Sequence, residues 1–164
     1  MPRINLKSTN RKVSMLATFL TILFGVIIFV IPSLLINIIP QSAIGNYFIN
    51  QIYYVYSILP IISYIIITGF YYYSIKIDTY IIYVTSYRTI SGLFMSKNYI
   101  EVPHDTLRQY SFFNRSFTLN KTLMLKVQDA SGKIIIKRFN ISFLSKSEEL
   151  RISKVLEQII AKNS

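Results

Sequence analysis

The chain of 164 residues contains no cysteine, one histidine and only seven acidic residues. The absence of cysteine excludes disulfide bonds, thiolate metal sites and a cysteine nucleophile. The single histidine leaves no second imidazole to complete a metal site. Glycine-rich phosphate loops and nucleophile motifs are missing as well. These absences disfavour an enzyme, and we expect no catalytic residues, no cofactor and no bound metal.

Two long segments carry no charged residue: residues 13–39 and residues 52–73. Each is long enough to cross the ~30 Å hydrocarbon core of a bilayer as a helix. The short connection between them is uncharged as well. The sequence therefore predicts a transmembrane helical hairpin, preceded by a basic cytoplasmic arm over residues 1–12.

The basic residues are distributed unevenly along the chain. There are 18 lysine and arginine residues against 7 acidic ones, a formal net charge of +11. Four basic residues precede the first span, the connection has none, and the others begin at Lys76. Positive residues accumulate on the cytoplasmic side of membrane proteins. Both termini of a multi-pass cell-membrane protein are therefore predicted to be cytoplasmic, with anionic lipid rather than nucleic acid as the partner of this charge.

A cleaved signal peptide is the alternative interpretation of the first apolar segment. Ala43, Ile44 and Gly45 resemble a small-x-small cleavage site. The segment is, however, roughly twice as long as the usual apolar core of a signal peptide. Retention as a span is therefore favoured.

Prolines and aromatic residues mark the two predicted spans. Pro32 and Pro60 lie at matching depths counted from the connection, where each is expected to bend its helix. The general abundance of proline in transmembrane helices explains them as well. Asn37 is assigned to the outer interface rather than to a ligand. Aromatic belts are predicted at both ends of the second span: Tyr47, Phe48, Tyr53, Tyr54 and Tyr56 outside, and Phe70, Tyr71, Tyr72 and Tyr73 inside.

After a linker predicted at residues 74–79, the apolar residues follow the alternation of β-strands. Thr85 and Ser86 are assigned to a turn, Gly132 to a hairpin turn, and Lys137 with Arg138 to a bulge. Ser145 and Glu148 form a capping box before a C-terminal amphipathic helix. The strands are predicted at residues 80–84, 87–90, 99–102, 107–113, 123–128 and 134–141. The apolar face of the helix is predicted to consist of Ile152, Val155, Leu156, Ile159 and Ile160.

Short antiparallel strands closed by one C-terminal helix follow the plan of the pleckstrin-homology (PH) superfold. Residues 80–160 resemble the bacterial PH-like domain that follows membrane hairpins, and a cytoplasmic PH-like domain is predicted over residues 80–162. The whole chain resembles the small two-span members of that family. The matching positions are Val84, Thr85, Arg88 and Gly92, the step from Val102 and Pro103 to Leu107, and the turn with Asp129, Ser131 and Gly132. The resemblance implies an α+β domain, an antiparallel β-barrel or sandwich capped by a helix. It also implies a largely non-catalytic family, some of whose members protect against membrane-active peptides.

His104 is the strongest candidate for chemistry, because it lies beside Asp105 and close to Glu101. A histidine with a carboxylate can serve as a general base. Pro103 and Asp105 are ordinary turn formers, however, and a turn between two strands explains the segment better. We therefore assign His104 no catalytic role.

Basic residues of the strand region are the candidates for contact with lipid or a partner: Lys97, Arg108, Arg115, Lys121, Lys126, Lys133, Lys137 and Arg138. In eukaryotic PH domains, phosphoinositide binding depends on basic residues that flank the first hairpin turn. Only Arg88 is available there, so specific inositol-phosphate binding is not implied. A solvated basic face above an anionic leaflet is favoured over a defined headgroup pocket.

Two functions fit these observations. The first is a non-catalytic, membrane-tethered binding or scaffold protein that protects the cell membrane from a membrane-active peptide, as a bacteriocin-type immunity or accessory factor. The second is a structural subunit of a larger membrane complex or exporter, beside a longer PH-repeat or transport partner. The expected partners are anionic membrane lipid, an antimicrobial peptide, and a membrane protein or a second copy of the chain.

Overall fold

The computed structural model describes residues 5–38, 43, 46, 50, 59–61, 63–65, 67–89, 97–116 and 118–163. The chain divides into two compact units. One unit is Met15–Gly69, and the other combines Met1–Ser14 with Phe70–Ser164. The second unit, called the folded domain below, is thus assembled from both ends of the chain.

The first apolar segment is one continuous helix with a wider middle turn. It consists of α1 (Arg11–Gly25), a π-helical segment (Val26–Val30) and α2 (Ile31–Ile38). The N–H of Ile31 donates to the carbonyl of Val26, five residues earlier. The π segment lies immediately before Pro32, whose ring would otherwise meet the carbonyl four residues earlier. The helix is thus irregular just before Pro32, and the bend expected there stays a prediction.

Among the described residues, one helix is long and apolar enough to cross a membrane, Arg11–Leu34. Polar side chains in the apolar segments donate to the carbonyl four residues earlier in their own helix. Thr21 donates to Ala17 at 2.8 Å, and Asn37 donates to Ser33 at 2.9 Å. The side-chain amide of Asn37 therefore bonds the backbone of its own helix.

The second predicted span is only partly described, and its inner end is corrected. Residues 59–61, 63–65, 67 and 68 are helical, and Gly69 takes a φ of 64° where the helix ends. Residues 71–73, predicted to be helical, belong instead to a strand, because the left-handed glycine ends the helix before them. Several predicted features lie outside the described residues. These are most of this span, two of the three residues of the proposed cleavage site at residues 43–45, Gly92, and the outer aromatic group of Tyr47, Phe48, Tyr53, Tyr54 and Tyr56.

Parts of the predicted arm and of the predicted linker are strands. β1 (Leu6–Thr9) pairs antiparallel with β2 (Tyr71–Ile77), and Leu6 lies opposite Ile77. Leu6, Tyr73, Ile75 and Ile77 are all buried. The prediction of a free arm is therefore wrong for Leu6–Thr9, and that of a linker is wrong for residues 74–77, because both segments alternate apolar core residues with outward polar ones.

The folded domain contains two separate antiparallel sheets and a C-terminal helix. β1, β2, β3 (Ile81–Arg88) and β4 (Asn98–Pro103) form the first sheet in that order. A single 3-10 turn (His104–Thr106) leads to β5 (Leu107–Asn114), β6 (Asn120–Gln128) and β7 (Ile134–Ser142), which form the second. α3 (Lys146–Asn163) follows. The predicted α+β class of the folded domain is confirmed. The domain is a sandwich rather than a closed barrel, because no backbone hydrogen bonds pair a described strand of one sheet with a strand of the other.

Two details of the strand prediction are wrong. Thr85 and Ser86 do not form a turn but continue β3, where they pair with Ser74 and Tyr73 of β2. Lys137 and Arg138 do not form a bulge, because β6 and β7 pair in continuous register. The irregularity lies instead between Leu107 and Gln109 of β5.

The hairpin turn, the Ser145 N-cap of the predicted capping box and the apolar face of α3 are confirmed. Gly132 has a φ of 82°, which a side chain would disfavour. The N–H of Glu148 donates to Ser145 Oγ at 3.2 Å. Ile152, Leu156 and Ile159 are buried in one core with residues of both sheets. α3 therefore closes the sandwich by its apolar face.

Candidate functional site

The candidate basic residues do not form one surface. Lys121 forms an ion pair with Glu149, and Arg108 donates to Gln128 and to the carbonyl of Asn163. Lys133 lies in the β6–β7 turn. Lys137 and Arg138 are consecutive in β7, so their side chains leave opposite faces. Lys126 lies on β6 opposite Ile136. The two remaining candidates are Lys97 and Arg115. The strand register places both at the end of the folded domain where β1 is followed by α1 and where β2 begins.

These points are held side by side by Asn10. Its Nδ2 donates to the carbonyls of Tyr71 and Ser142, at 2.8 Å each, and its Oδ1 accepts from the N–H of Tyr73 at 2.9 Å. β1 ends at Thr9 and β2 begins at Tyr71, so both connections to the helices leave the domain at one end. We call this the exit end.

A second set of contacts, at the start of α3, fixes β1 to the rest of the domain. The hydroxyls of Ser8 and Tyr73 lie 3.1 Å apart, and both donate to the carboxylate of Glu148, at 3.2 and 3.4 Å. Burial, opposed by the bond to Ser8 and assisted by the charge of Glu148, raises the pKa of Tyr73 to about 12. The Tyr73 hydroxyl thus links β2 to β1 and to the start of α3.

Aromatic and cationic side chains lie together at the exit end. The rings of Tyr72 and Tyr87 are 4.7 Å apart between centroids, and Lys97 Nζ lies 5.4 Å from the Tyr87 ring. Burial and the neighbouring Tyr72 raise the pKa of Tyr87, whereas the positive charge of Arg11 lowers it. Arg11 is thus close enough to act on the same ring.

Apolar groups complete this end of the domain. The Phe70 and Phe143 rings are 5.2 Å apart, and Leu119 is 67% exposed in the β5–β6 loop. The N–H of Phe143 donates to the carbonyl of Leu119, and Arg115 begins the same loop. We define the exit surface as the basic residues of this end together with Phe70, Tyr72, Tyr87, Leu119 and Phe143. The basic residues are Arg11, Lys12, Arg88, Lys97 and Arg115.

Four cations of the exit surface belong to no ion pair that the structure describes. All seven acidic residues are described, and the ion pairs in the described part of the chain are Lys76–Asp78 and Lys121–Glu149. Arg11, Lys12, Lys97 and Arg115 belong to neither pair. An exposed cation beside an aromatic ring is well suited to an anionic, partly apolar surface.

Sequence reasoning found only part of this surface. It named Lys97 and Arg115 as candidates, and it placed Arg11 and Lys12 in the arm and Phe70 and Tyr72 in the inner aromatic belt. It missed that Tyr87 joins them, because Thr85 and Ser86 were read as a turn. The signal that supports one strand instead is the absence of glycine and proline between Ile81 and Arg88, with β-branched and aromatic residues on both sides of Ser86.

His104 lies at the end of the domain opposite the exit end, in the turn between β4 and β5. Its Nε2 is buried without a hydrogen-bond partner, and its other ring nitrogen donates to the backbone of Asp78. Its carbonyl accepts from Asn163 of α3 at 2.5 Å. Within the described residues, no group of three histidine or carboxylate side chains is placed to hold a metal ion. The contacts of His104 are those of a residue that joins the turn to α3.

No protein-family model, curated protein or solved structure matches this chain. The resemblance to bacterial PH-like proteins therefore has no support from these comparisons. What supports a function is the geometry of the exit end and the connectivity that produces it.

Acidification is expected to loosen the turn that contains His104. Burial lowers the pKa of His104 below its ordinary value of 6.5, with Lys162 acting in the same direction and Asp78 and Asp105 opposing it. The unfolded chain therefore binds this proton first, so stability is complete above pH 6.5 and falls as the pH drops through the folded pKa. The check is the urea midpoint of the full chain in detergent between about pH 8 and 5.

His104→Gln is the matched variant, because it keeps a donor for Asp78 but does not titrate. We expect its urea midpoint to depend less on pH than that of the wild type. Parallel curves for the two proteins would contradict the assignment.

Proposed function

We propose that the protein is a non-catalytic, membrane-anchored binding protein whose PH-like domain lies with its exit surface on an anionic leaflet. The observation that carries the proposal is the pairing of β1 with β2 on either side of the apolar segments. The order of four and three strands followed by a helix supports the PH-like assignment, with the membrane segments inserted between the first two strands.

The same pairing supports a two-span topology. Residues 6–9 and 71–163 belong to one domain, so both must lie on one side of the membrane. The chain between them then crosses the bilayer an even number of times. If Arg11–Leu34 is one crossing, a return crossing must lie before Tyr71, within the second uncharged segment. Cleavage near residue 45 would remove β1 and Asn10 from the domain, which favours retention.

Short connections support a position close to the lipid. Asn10 alone separates β1 from α1, and Gly69 and Phe70 separate the last helical residue from β2. Each connection reaches at most roughly 10 Å. A cation near an anionic leaflet contributes about 1 kcal/mol. The positive-inside tendency then assigns the domain and both termini to the cytoplasmic side of the cell membrane.

Protection against a membrane-active peptide is the biological role we propose, as an immunity or accessory factor of bacteriocin type. Its support is the resemblance of the sequence together with a basic, membrane-apposed surface that would repel cationic peptides. The alternative is a subunit of a larger membrane complex or exporter. The observation that favours the alternative is an exposed apolar strand edge at residues 134–136, far from the exit end.

A fluorophore at the exit surface is expected to contact lipid. The chain has no cysteine, so Leu119→Cys and Ala130→Cys each give one labelling site. In nanodiscs with brominated anionic lipid, we expect strong quenching at position 119 and little at position 130, which lies in the β6–β7 turn. Equal quenching at the two positions would overturn the proposed orientation.

The charge dependence is tested by combining the position 119 label with Lys97→Gln and Arg115→Gln. Two lost cations correspond to about 2 kcal/mol, so quenching should fall to the level seen in zwitterionic lipid. Lys133→Gln with Lys162→Gln removes the same charge at the opposite end and should leave quenching unchanged. An equal loss in both pairs would assign the effect to net charge alone.

Protection is expected to require both the domain and its anchoring. The assay expresses three proteins in a host sensitive to a panel of cationic pore-forming peptides: the full chain, residues 1–79, and a chain whose residues 15–68 are replaced by an unrelated two-span hairpin. We expect protection from the first and third proteins and none from the second. Full protection by residues 1–79 would make the domain dispensable and the proposed role wrong.

A further inference from the structure

The outer edge of β7 is occupied along only part of its length. β7 is the last strand of its sheet, so its second edge has no strand partner among those described. Three side chains from other elements donate instead to its carbonyls. Asn10 Nδ2 donates to Ser142 at 2.8 Å, Ser86 Oγ donates to Asn140, and Asn98 Nδ2 donates to Arg138 at 2.6 Å.

These three bonds show which backbone N–H and C=O groups of β7 point towards β6 and which point away from it. The acceptor residues 138, 140 and 142 are spaced by two, and β6 pairs with β7 without a register shift. In an antiparallel strand, the N–H and C=O of one residue point to the same side, and alternate residues point to opposite sides. Ile134 and Ile136 therefore direct their N–H and C=O away from β6.

The edge at Ile134–Ile136 is open. Of the donors that the structure describes, none reaches the carbonyls of Ile134 or Ile136. The side chains of Ile134, Ile135 and Ile136 are 57%, 40% and 49% exposed. An exposed apolar edge with unpaired backbone groups is a template for another strand. We propose that this edge binds an extended segment of a partner protein by strand addition.

The charges around the edge define the chemistry of the partner. One face of the strand presents Ile134, Ile136 and Arg138, and the other presents Lys133, Ile135 and Lys137. Asp129, the closest acidic residue in the sequence, is engaged in the turn by Ala130 N–H and by Ser131 Oγ. The edge thus fits a strand that alternates apolar residues, against Ile134 and Ile136, with acidic residues, against Lys133 and Lys137.

A bilayer and a second copy of the chain fit this edge less well. The register places Ser142 of β7 at the exit end and Ile134 at the other end of the same strand. The edge is therefore turned away from the points where the chain enters the membrane segments. A second copy would bring Lys133 and Lys137 against cations of like sign. The proposal does not rest on the exit surface or on any role in protection.

The test uses the full chain in detergent micelles and a short acetylated peptide of alternating valine and glutamate. Binding is followed by peptide fluorescence anisotropy and by hydrogen exchange of the backbone amides. We expect saturable binding with slowed exchange at Ile134 and Ile136. The valine–lysine peptide of the same length is the control and should not bind. No protection of these amides, or equal binding of both peptides, would overturn the proposal.

Two variants separate the backbone edge from the charges. Ile136→Pro removes an N–H that faces away from β6, so the β6–β7 ladder is kept, and binding should weaken roughly tenfold. Ile136→Val is the matched control and should bind like the wild type. Lys133→Gln with Lys137→Gln should also weaken binding and reduce its salt dependence.

Exchange at Leu125 and Phe139 shows whether each variant keeps its fold. If the Ile136→Pro protein keeps these core amides protected from exchange and still binds the peptide normally, the β7 edge is not the binding site. Slowed exchange at Ile134 and Ile136 caused by anionic vesicles, or by raising the protein concentration alone, would assign the edge to lipid or to self-association instead and contradict the proposal.

Discussion

The pairing of β1 with β2 connects two parts of the chain that lie on either side of its two uncharged apolar segments. Asn10 and Tyr71 are 61 residues apart in sequence, yet the Asn10 amide bonds the Tyr71 carbonyl. Closing a flexible loop of that length costs about 4 kcal/mol. In the proposed two-span topology, the hairpin returns to the face from which it started and brings its ends together before β1 pairs. Docking of β1 and membrane insertion are therefore expected to stabilise each other.

The side-chain amide of Asn10 is central to this arrangement because it satisfies three backbone groups. Tyr73 N–H and the carbonyls of Tyr71 and Ser142 each lose a partner if the amide is removed, and unsatisfied buried groups cost about 1–3 kcal/mol each. The same amide places β2 beside the end of β7. The exit surface and the open edge at Ile134–Ile136 are consequently separated along β7, so the two proposed contacts involve different ends of the domain.

Much of the folded domain follows from sequence patterns. Period-two alternation located β4, β5, β6 and β7, and the Ser145–Glu148 spacing located the start of α3. The first sheet was predicted less well because the two apolar segments separate β1 from β2, and because a turn was assigned within β3 at Thr85 and Ser86. Strand β1 is only four residues long, and Tyr71, Tyr72 and Tyr73 fit an interfacial belt as well as a strand. Their assignment depends on pairing with Leu6–Thr9, which local patterns do not contain.

The exit surface was predicted in pieces for the same reason. Lys97 and Arg115 were identified by charge alone, together with Arg108 and Lys121, which the fold engages in other contacts. Charge identifies candidate residues, whereas strand register decides which of them share a surface. The open edge of β7 depends on the carbonyls at residues 138, 140 and 142, whose side-chain donors come from three other elements. Only the assembled domain reveals it.

A cross-link between β1 and β2 in native membranes tests the central claim most directly. Lys7 and Lys76 lie opposite each other in the pairing, at a separation that a disulfide can span. Mild oxidation of Lys7→Cys with Lys76→Cys is expected to give an intramolecular disulfide in high yield. The mismatched pair Lys7→Cys with Ser74→Cys should give little, and adding Asn10→Ala should lower the yield of the matched pair. Equal yields for the matched and mismatched pairs, or no disulfide in either, would show that β1 does not pair with β2 and would contradict the account.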